Sequence, residues 1–202
     1  MQIRQLRVDG AFLIQPKVFH DDRGLFLEAF SQPEFRKAVG HELSVAQVNC
    51  SVSRRGTIRG LHATALPGQA RYMTCPQGAI IDILVDIRVG SPTYGEHVAV
   101  ELSAENRNAL YLAEGLAHGF APLTDQATVV YLCSSTWSPG TSIQIDPLDP
   151  ELDLPWPAKR DLLSEKDLAA PSLREAEKLG LLPDYSACRA RYAELEDPAL
   201  VG

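Results

Sequence analysis

Short apolar and β-branched runs, closed again and again by Gly or Pro, fill most of this chain and restrict it to a sheet protein. The strongest run, entered from Gly78, reads Ala79-Ile80-Ile81-Asp82-Ile83-Leu84-Val85-Asp86-Ile87-Arg88. A strand's alternation puts Asp82 and Asp86 on one face with Ile80, Leu84 and Arg88. Residues 44–53 alternate as cleanly, with Val45, Gln47, Asn49 and Ser51 on one side and Ala46, Val48, Cys50 and Val52 on the other. About ten such strands at regular spacing, with few helices, predict an all-β jelly roll or barrel rather than a parallel sheet. In a barrel, the polar face of residues 44–53 would line a ligand cavity.

Helix signals are brief and mainly C-terminal. Ser31-Gln32-Pro33-Glu34 reads as a capping box opening a helix that stops at Gly40. Ser164 to Asp167 and Ser172 to Glu175 are two further capping signatures, the second opening a helix closed by Gly180. The polar end of the chain reads as a surface helix or frayed terminus. These signals fit one domain over residues 1–202, with a jelly-roll core at about 8–157 and a helical segment at about 163–195.

A net charge of −7 argues against nucleic acid as a partner, although a few Arg can still build a local pocket for a small anion. No apolar run approaches the ~20 residues of a membrane span, and Met1-Gln2-Ile3-Arg4-Gln5 is no signal peptide, so a cytoplasmic protein is expected. Cys50, Cys75, Cys133 and Cys188 lack any C-x-x-C spacing and read as buried thiols.

Chemistry concentrates at Arg59-Gly60-Leu61-His62. Regular alternation sends Arg59, Leu61 and Ala63 to one face and Gly60, His62 and Thr64 to the other. A cation for an anion, beside a group titrating near neutrality, suits proton transfer. Arg23, Arg71, His118, Asp82, Asp167 and Tyr131 are the other candidates. Each has a plainer reading: Asp167 caps a helix, Asp82 pairs with Arg88, Tyr131 is a core aromatic, and a lone His packs. His20, His41 and His97 read as surface or loop residues. His62 and His118 are each single, with no second His or close Glu after them, so no metal is expected.

Arg59-Gly60-Leu61-His62, Val85-Asp86-Ile87-Arg88-Val89-Gly90-Ser91-Pro92-Thr93-Tyr94-Gly95, Glu114-Gly115-Leu116-Ala117-His118-Gly119-Phe120 and Leu163-Ser164-Glu165-Lys166-Asp167 together resemble the dTDP-4-dehydrorhamnose 3,5-epimerase family. The segments at 69–72, 129–134 and 180–183 resemble its antibiotic-deoxysugar branch most closely. The resemblance implies a cupin-type jelly roll, a homodimer, and an isomerase without metal or cofactor acting on a dTDP-4-keto-6-deoxyhexose at C3, C5 or both. It makes His62 the base, Asp167 its orienting carboxylate, and Tyr131 the group returning a proton on the opposite face. Arg71 stands where the family has a Lys beside the developing oxyanion, with Asp82 holding it. Arg23 and Arg59 match diphosphate contacts, Phe26 a thymine contact, and Glu28, Gln47 and Asn49 nucleotide and sugar contacts. His118, Trp137 and Lys166 complete the implied substrate pocket.

Ala63 replaces an aromatic residue after the base, and Ser142 a Glu on the loop after Tyr131. Thr136 and Trp137 replace a pair of Tyr, which predicts faster exchange at C3 than at C5. Two alternatives stay open from the sequence: a ketoisomerase moving the carbonyl from C4 to C3, and a nucleotide-sugar binding module that has lost activity.

Overall fold

A computed structural model describes residues 1–157 and 162–197. In chain order the strands are β1 (Gln2–Gln5), β2 (Ala11–Gln15), β3 (Val18–Asp21), β4 (Gly24–Leu27), β5 (Gln47–Arg54), β6 (Arg59–Thr64) and β7 (Arg71–Gln77). They continue as β8 (Ala79–Asp86), β9 (His97–Ser103), β10 (Ala109–Leu112), β11 (Leu116–Pro122), β12 (Gln126–Cys133) and β13 (Ser142–Gln144). Helices are α1 (Gln32–Val39), α2 (Glu165–Leu168), α3 (Leu173–Lys178) and α4 (Tyr185–Glu196).

Two antiparallel sheets stack as the expected jelly roll, ordered β1-β2-β10-β7-β12-β5 and β13-β6-β11-β8-β9, with β3-β4 a separate hairpin. Alternation along each strand sorts the apolar residues into three layers. Between the sheets lie Leu13, Met73, Ile80, Leu84, Leu102 and Val129. Behind the second sheet, Leu61, Ile83, Val85 and Ala117 meet Leu152, Trp156, Leu173 and Ala176. Behind the first, Ile14, Phe35, Tyr72 and Tyr111 meet Cys188 and Tyr192 of α4. Each fully buried Leu or Ile contributes about 1.5–3 kcal/mol, so α3 and α4 belong to the core and are not appendages.

Several expectations need correction. β1 pairs with β2, so the sheet starts before residue 8. Ser31 makes no side-chain cap; α1 starts instead on Pro near its first position and ends, as expected, on a left-handed Gly40. α4 buries Cys188 and Tyr192 and so is no frayed end, while residues 198–202 lie outside the described residues. His41 is buried, its Nε2 3.4 Å from the Tyr111 hydroxyl. Cys50 is exposed, on edge strand β5 beside Val48 and Val52, which are 58% and 52% exposed. Ser142 belongs to β13, paired with Thr64, and not to a loop.

α4 is latched by a buried charge. Arg88 donates to both oxygens of Asp86 at 2.8 and 2.7 Å and to the Tyr192 hydroxyl at 3.1 Å. Ser91 and Thr93 hydroxyls complete the carboxylate's shell at 2.6 and 2.7 Å. Burial pushes Asp86 up, but these donors outweigh it and hold the carboxyl below its ordinary range.

Candidate active site

Both sheets line a cavity of about 500 Å³. Gln47, Asn49 and Ser51 face it from β5, as their alternation required. β6 departs from its expected alternation. His62 pairs with His118 but Arg59 pairs with Phe120, so β6 carries one residue more than β11 over this stretch. That bulge brings Arg59 and His62, three apart, into the same cavity with Thr64. Gly60 permits it: φ is +143°, and a Cβ would sit 2.3 Å from Gly119 Cα.

His62 Nε2 donates to Asp167 Oδ1 at 2.7 Å. This fixes the tautomer and leaves Nδ1 free to take a proton. Asp167 is buried at 4% exposure, whereas the His62 side chain is 38% exposed. Capping and orientation coexist here, because different atoms do each. Ser164 Oγ accepts from the Asp167 backbone N–H at 3.2 Å and donates to Oδ2 at 2.8 Å, while Oδ1 holds the imidazole. Burial raises the Asp167 pKa, but the bonds from His62 and Ser164 outweigh it and keep the carboxyl charged.

Asp82 does not take the partners expected of it. Both its oxygens lie 3.2 Å from His118 Nδ1, while Arg88 is bound to Asp86. The register explains this: Asp82 stands opposite Phe120, so His118 is its diagonal neighbour on the same face. Burial, opposed by Asp82, lowers the His118 pKa, so the ring is neutral and donates Nδ1–H to the carboxylate. Asp82 reaches Arg71 only through its field.

Arg71 is held by three bonds of its own: Nε to Gln69 Oε1 at 3.1 Å, Nη1 to the His62 carbonyl at 3.0 Å, and Nη2 to Thr64 Oγ1 at 3.4 Å. A guanidinium has five N–H donors, so two are left for the cavity. Tyr131 faces the cavity from β12. Burial raises its pKa against the pull of Arg71 and Arg59, so it is a neutral phenol able to give a proton.

Trp137 and Lys166 also line the cavity, Trp137 at the rim with 63% exposure. Arg23, Phe26 and Glu28 do not. They sit on or beside the β3-β4 hairpin, Phe26 is 66% exposed, and among the described residues Arg23 pairs only with Asp21. Gln69, Thr64 and Gln144 are cavity residues that the sequence reading passed over. The first two could have been found, since Gln69 lies two before Arg71 and Thr64 two after His62 on extended chain. Among the described residues no cluster of His, Cys, Asp and Glu could hold a metal ion.

A base with its carboxylate, an opposed phenol and a fixed cation in one cavity can move a proton at carbon and stabilise the oxyanion that results. Comparison with known proteins agrees. The model of the family described as dTDP-4-dehydrorhamnose 3,5-epimerase matches residues 5–175. A dTDP-4-dehydrorhamnose 3-epimerase of Streptomyces niveus is 45% identical, covering 100% of this chain and 98% of the relative. A dTDP-4-dehydrorhamnose 3,5-epimerase of Streptomyces griseus is 50% identical over 93% of this chain and 94% of the relative. Among solved structures, a 3′-monoepimerase from Streptomyces bikiniensis in complex with dTDP-quinovose superposes with a TM-score of 0.92 at 46% identity, covering 95% of this chain and 98% of that one.

Proposed function

The chain belongs to the dTDP-4-dehydrorhamnose 3,5-epimerase family, isomerase-class enzymes, and on that premise we propose that it inverts C3, and C5 more slowly, of a dTDP-4-keto-6-deoxyhexose. The observation that carries this reading is the 2.7 Å bond between His62 and Asp167, opening into a cavity shared with Tyr131 and Arg71. His62 Nδ1 takes the proton from C3, and the C–H electron pair moves to the C4 oxygen. The free N–H groups of Arg71 stabilise that oxyanion. Tyr131 protonates C3 from the other face as the C4 carbonyl re-forms; His62 then releases its extra proton to water and Tyr131 takes one back. Arg59 holds diphosphate, Gln47, Asn49, His118 and Lys166 hold sugar and nucleotide, and Trp137 closes the rim. Trp137 and the small Ala63 favour C3.

The cavity lacks Arg23, Phe26 and Glu28, the nucleotide contacts of the resemblance, and these stand on an exposed apolar hairpin. A homodimer in which each hairpin enters the other copy's site would supply them and would cover Phe19, Phe26 and the bare face of β5. The whole chain acts as one domain. Four unpaired thiols suit a reducing compartment, which supports a cytoplasmic location.

The test follows dTDP-4-keto-6-deoxyglucose in D₂O by proton NMR. Loss of the H3 signal, with new signals of the C3 epimer, is expected. His62→Ala should slow it by roughly 10²–10⁴ while dTDP affinity holds. Exchange at near wild-type rate in that variant would remove His62 as the base, and a 3-keto product would make the protein a ketoisomerase.

A further inference from the structure

The Gln69 side chain bonds to two parts of the site at once. Its Oε1 accepts from Arg71 Nε at 3.1 Å, and its Nε2 donates to the Ser135 carbonyl at 2.7 Å. Only one amide orientation serves both, since Arg71 needs an acceptor and the carbonyl a donor. Ser135 begins the segment that carries Thr136 and Trp137 to the cavity wall. That segment is fastened toward β7 by the Ser135 hydroxyl, which donates to the Gly68 carbonyl at 3.2 Å, and toward the neighbouring β5 by Trp137 N–H, which donates to Gln47 Oε1 at 3.0 Å. The backbone already ties this segment to β7, Arg71 pairing with Cys133 and Ser134 N–H donating to the Ala70 carbonyl at 3.0 Å, and Gln69 adds the tie between the guanidinium itself and the wall. A lysine at position 71 would have no Nε–H in that place, so the link is particular to a guanidinium here.

We propose that Gln69 is a positioning residue that sets Arg71 against the reacting carbonyl and, through Ser135, fixes the wall that decides between C3 and C5. The inference rests on the epimerase reading above and deepens it. Gln69 acts through Arg71 and Ser135. Its removal should lower kcat with little change in KM, because a misplaced oxyanion donor costs the transition state and not the ground state.

The experiment measures kcat, KM and the ratio of C5 to C3 deuterium exchange on dTDP-4-keto-6-deoxyglucose for wild type, Gln69→Met, Arg71→Lys, the double variant and His62→Ala. Gln69→Met should lose roughly 10- to 100-fold in kcat, as for displaced catalytic groups in general. Its KM should stay within about twofold, and its C5 share of exchange should rise as the wall loosens. In the Arg71→Lys background the same change should cost less than about twofold, because the bond it breaks is already gone. Gln69→Asn, a shorter amide unable to span both partners, should behave as Gln69→Met does. Equal losses in both backgrounds, an unchanged C5 to C3 ratio, or a rate loss that tracks the melting temperature would each overturn the inference. If Gln69→Met exchanges like wild type while His62→Ala is dead, the epimerase reading stands and Gln69 alone falls. A wild type that exchanges at neither carbon overturns both.

Discussion

Asp167→Asn separates orientation from capping, because the carboxylate holds His62 while the cap is the bond from the Asp167 backbone N–H to Ser164 Oγ. Asn preserves the size of the side chain and leaves Ser164, the cap itself, in place. What it removes is the negative charge beside Nε2, 2.7 Å from Oδ1, and with it the preference for the tautomer that leaves Nδ1 free. A charge pair with centres about 4 Å apart is worth about 4 kcal/mol at an effective dielectric of 20 and about 1 in water. His62 is 38% exposed, which discounts the upper figure, so about 2–3 kcal/mol of imidazolium stabilisation is at stake. That corresponds to a fall in kcat of roughly 30- to 150-fold. Stability should change by no more than about 1 kcal/mol, or about 2–4 °C in Tm for a domain of this size. Steady-state kinetics and a thermal melt on the same preparation decide the matter. A kcat within about threefold of wild type, or activity lost only in step with folded protein, would refute the orienting role.

Tyr131→Phe should uncouple exchange from inversion: H3 still washes out in D₂O, with retained configuration, while NMR shows the epimer forming at least about tenfold more slowly. Phe26→Ala should weaken dTDP binding by the roughly 1–3 kcal/mol of a lost base–aromatic stack, read by calorimetry. If hairpins are exchanged, an equal mixture of refolded Phe26→Ala and His62→Ala chains, assayed at substrate well below the KM of Phe26→Ala, should regain about a quarter of the wild-type rate, one intact site in four, and no regain would place the hairpin in its own chain's site. Asp86→Asn leaves Arg88 uncompensated in the core and should cost about 3–5 kcal/mol in denaturant unfolding. The folded Asp86 pKa lies below its ordinary 3.8, so its contribution is fully present above that pH and is lost as pH falls through the folded value. The acid limb of the wild-type stability curve should therefore be steeper than that of the variant.

Alternation made the barrel legible in the sequence, down to Gln47, Asn49 and Ser51 facing one cavity. It failed at Arg59, since one extra residue in β6 reverses facing and leaves no trace beyond a Gly in the strand. It also failed at Asp82, whose partner depends on which strand lies alongside, a fact of pairing and not of local pattern. Ser164 to Asp167 signalled a cap correctly, yet a cap says nothing about what the second carboxylate oxygen meets across the fold. The hairpin holding Arg23 and Phe26 could be read as strands, but its distance from the cavity could not.

The Arg88 latch has a consequence for how the protein is made. Synthesis runs from the N-terminus, so the candidate catalytic set is complete on the ribosome once Asp167 has been added. At that moment Ile14, Phe35, Tyr72 and Tyr111 still have no Cys188 or Tyr192 against them, and Arg88 has no hydroxyl for its third bond. Helix α4, which emerges only later, is the one that closes the back of the first sheet. A chain stopped before Tyr185 would carry every proposed catalytic residue and still expose an aromatic face to its neighbours on the polysome, with aggregation competing against folding until the turns of α4 arrive.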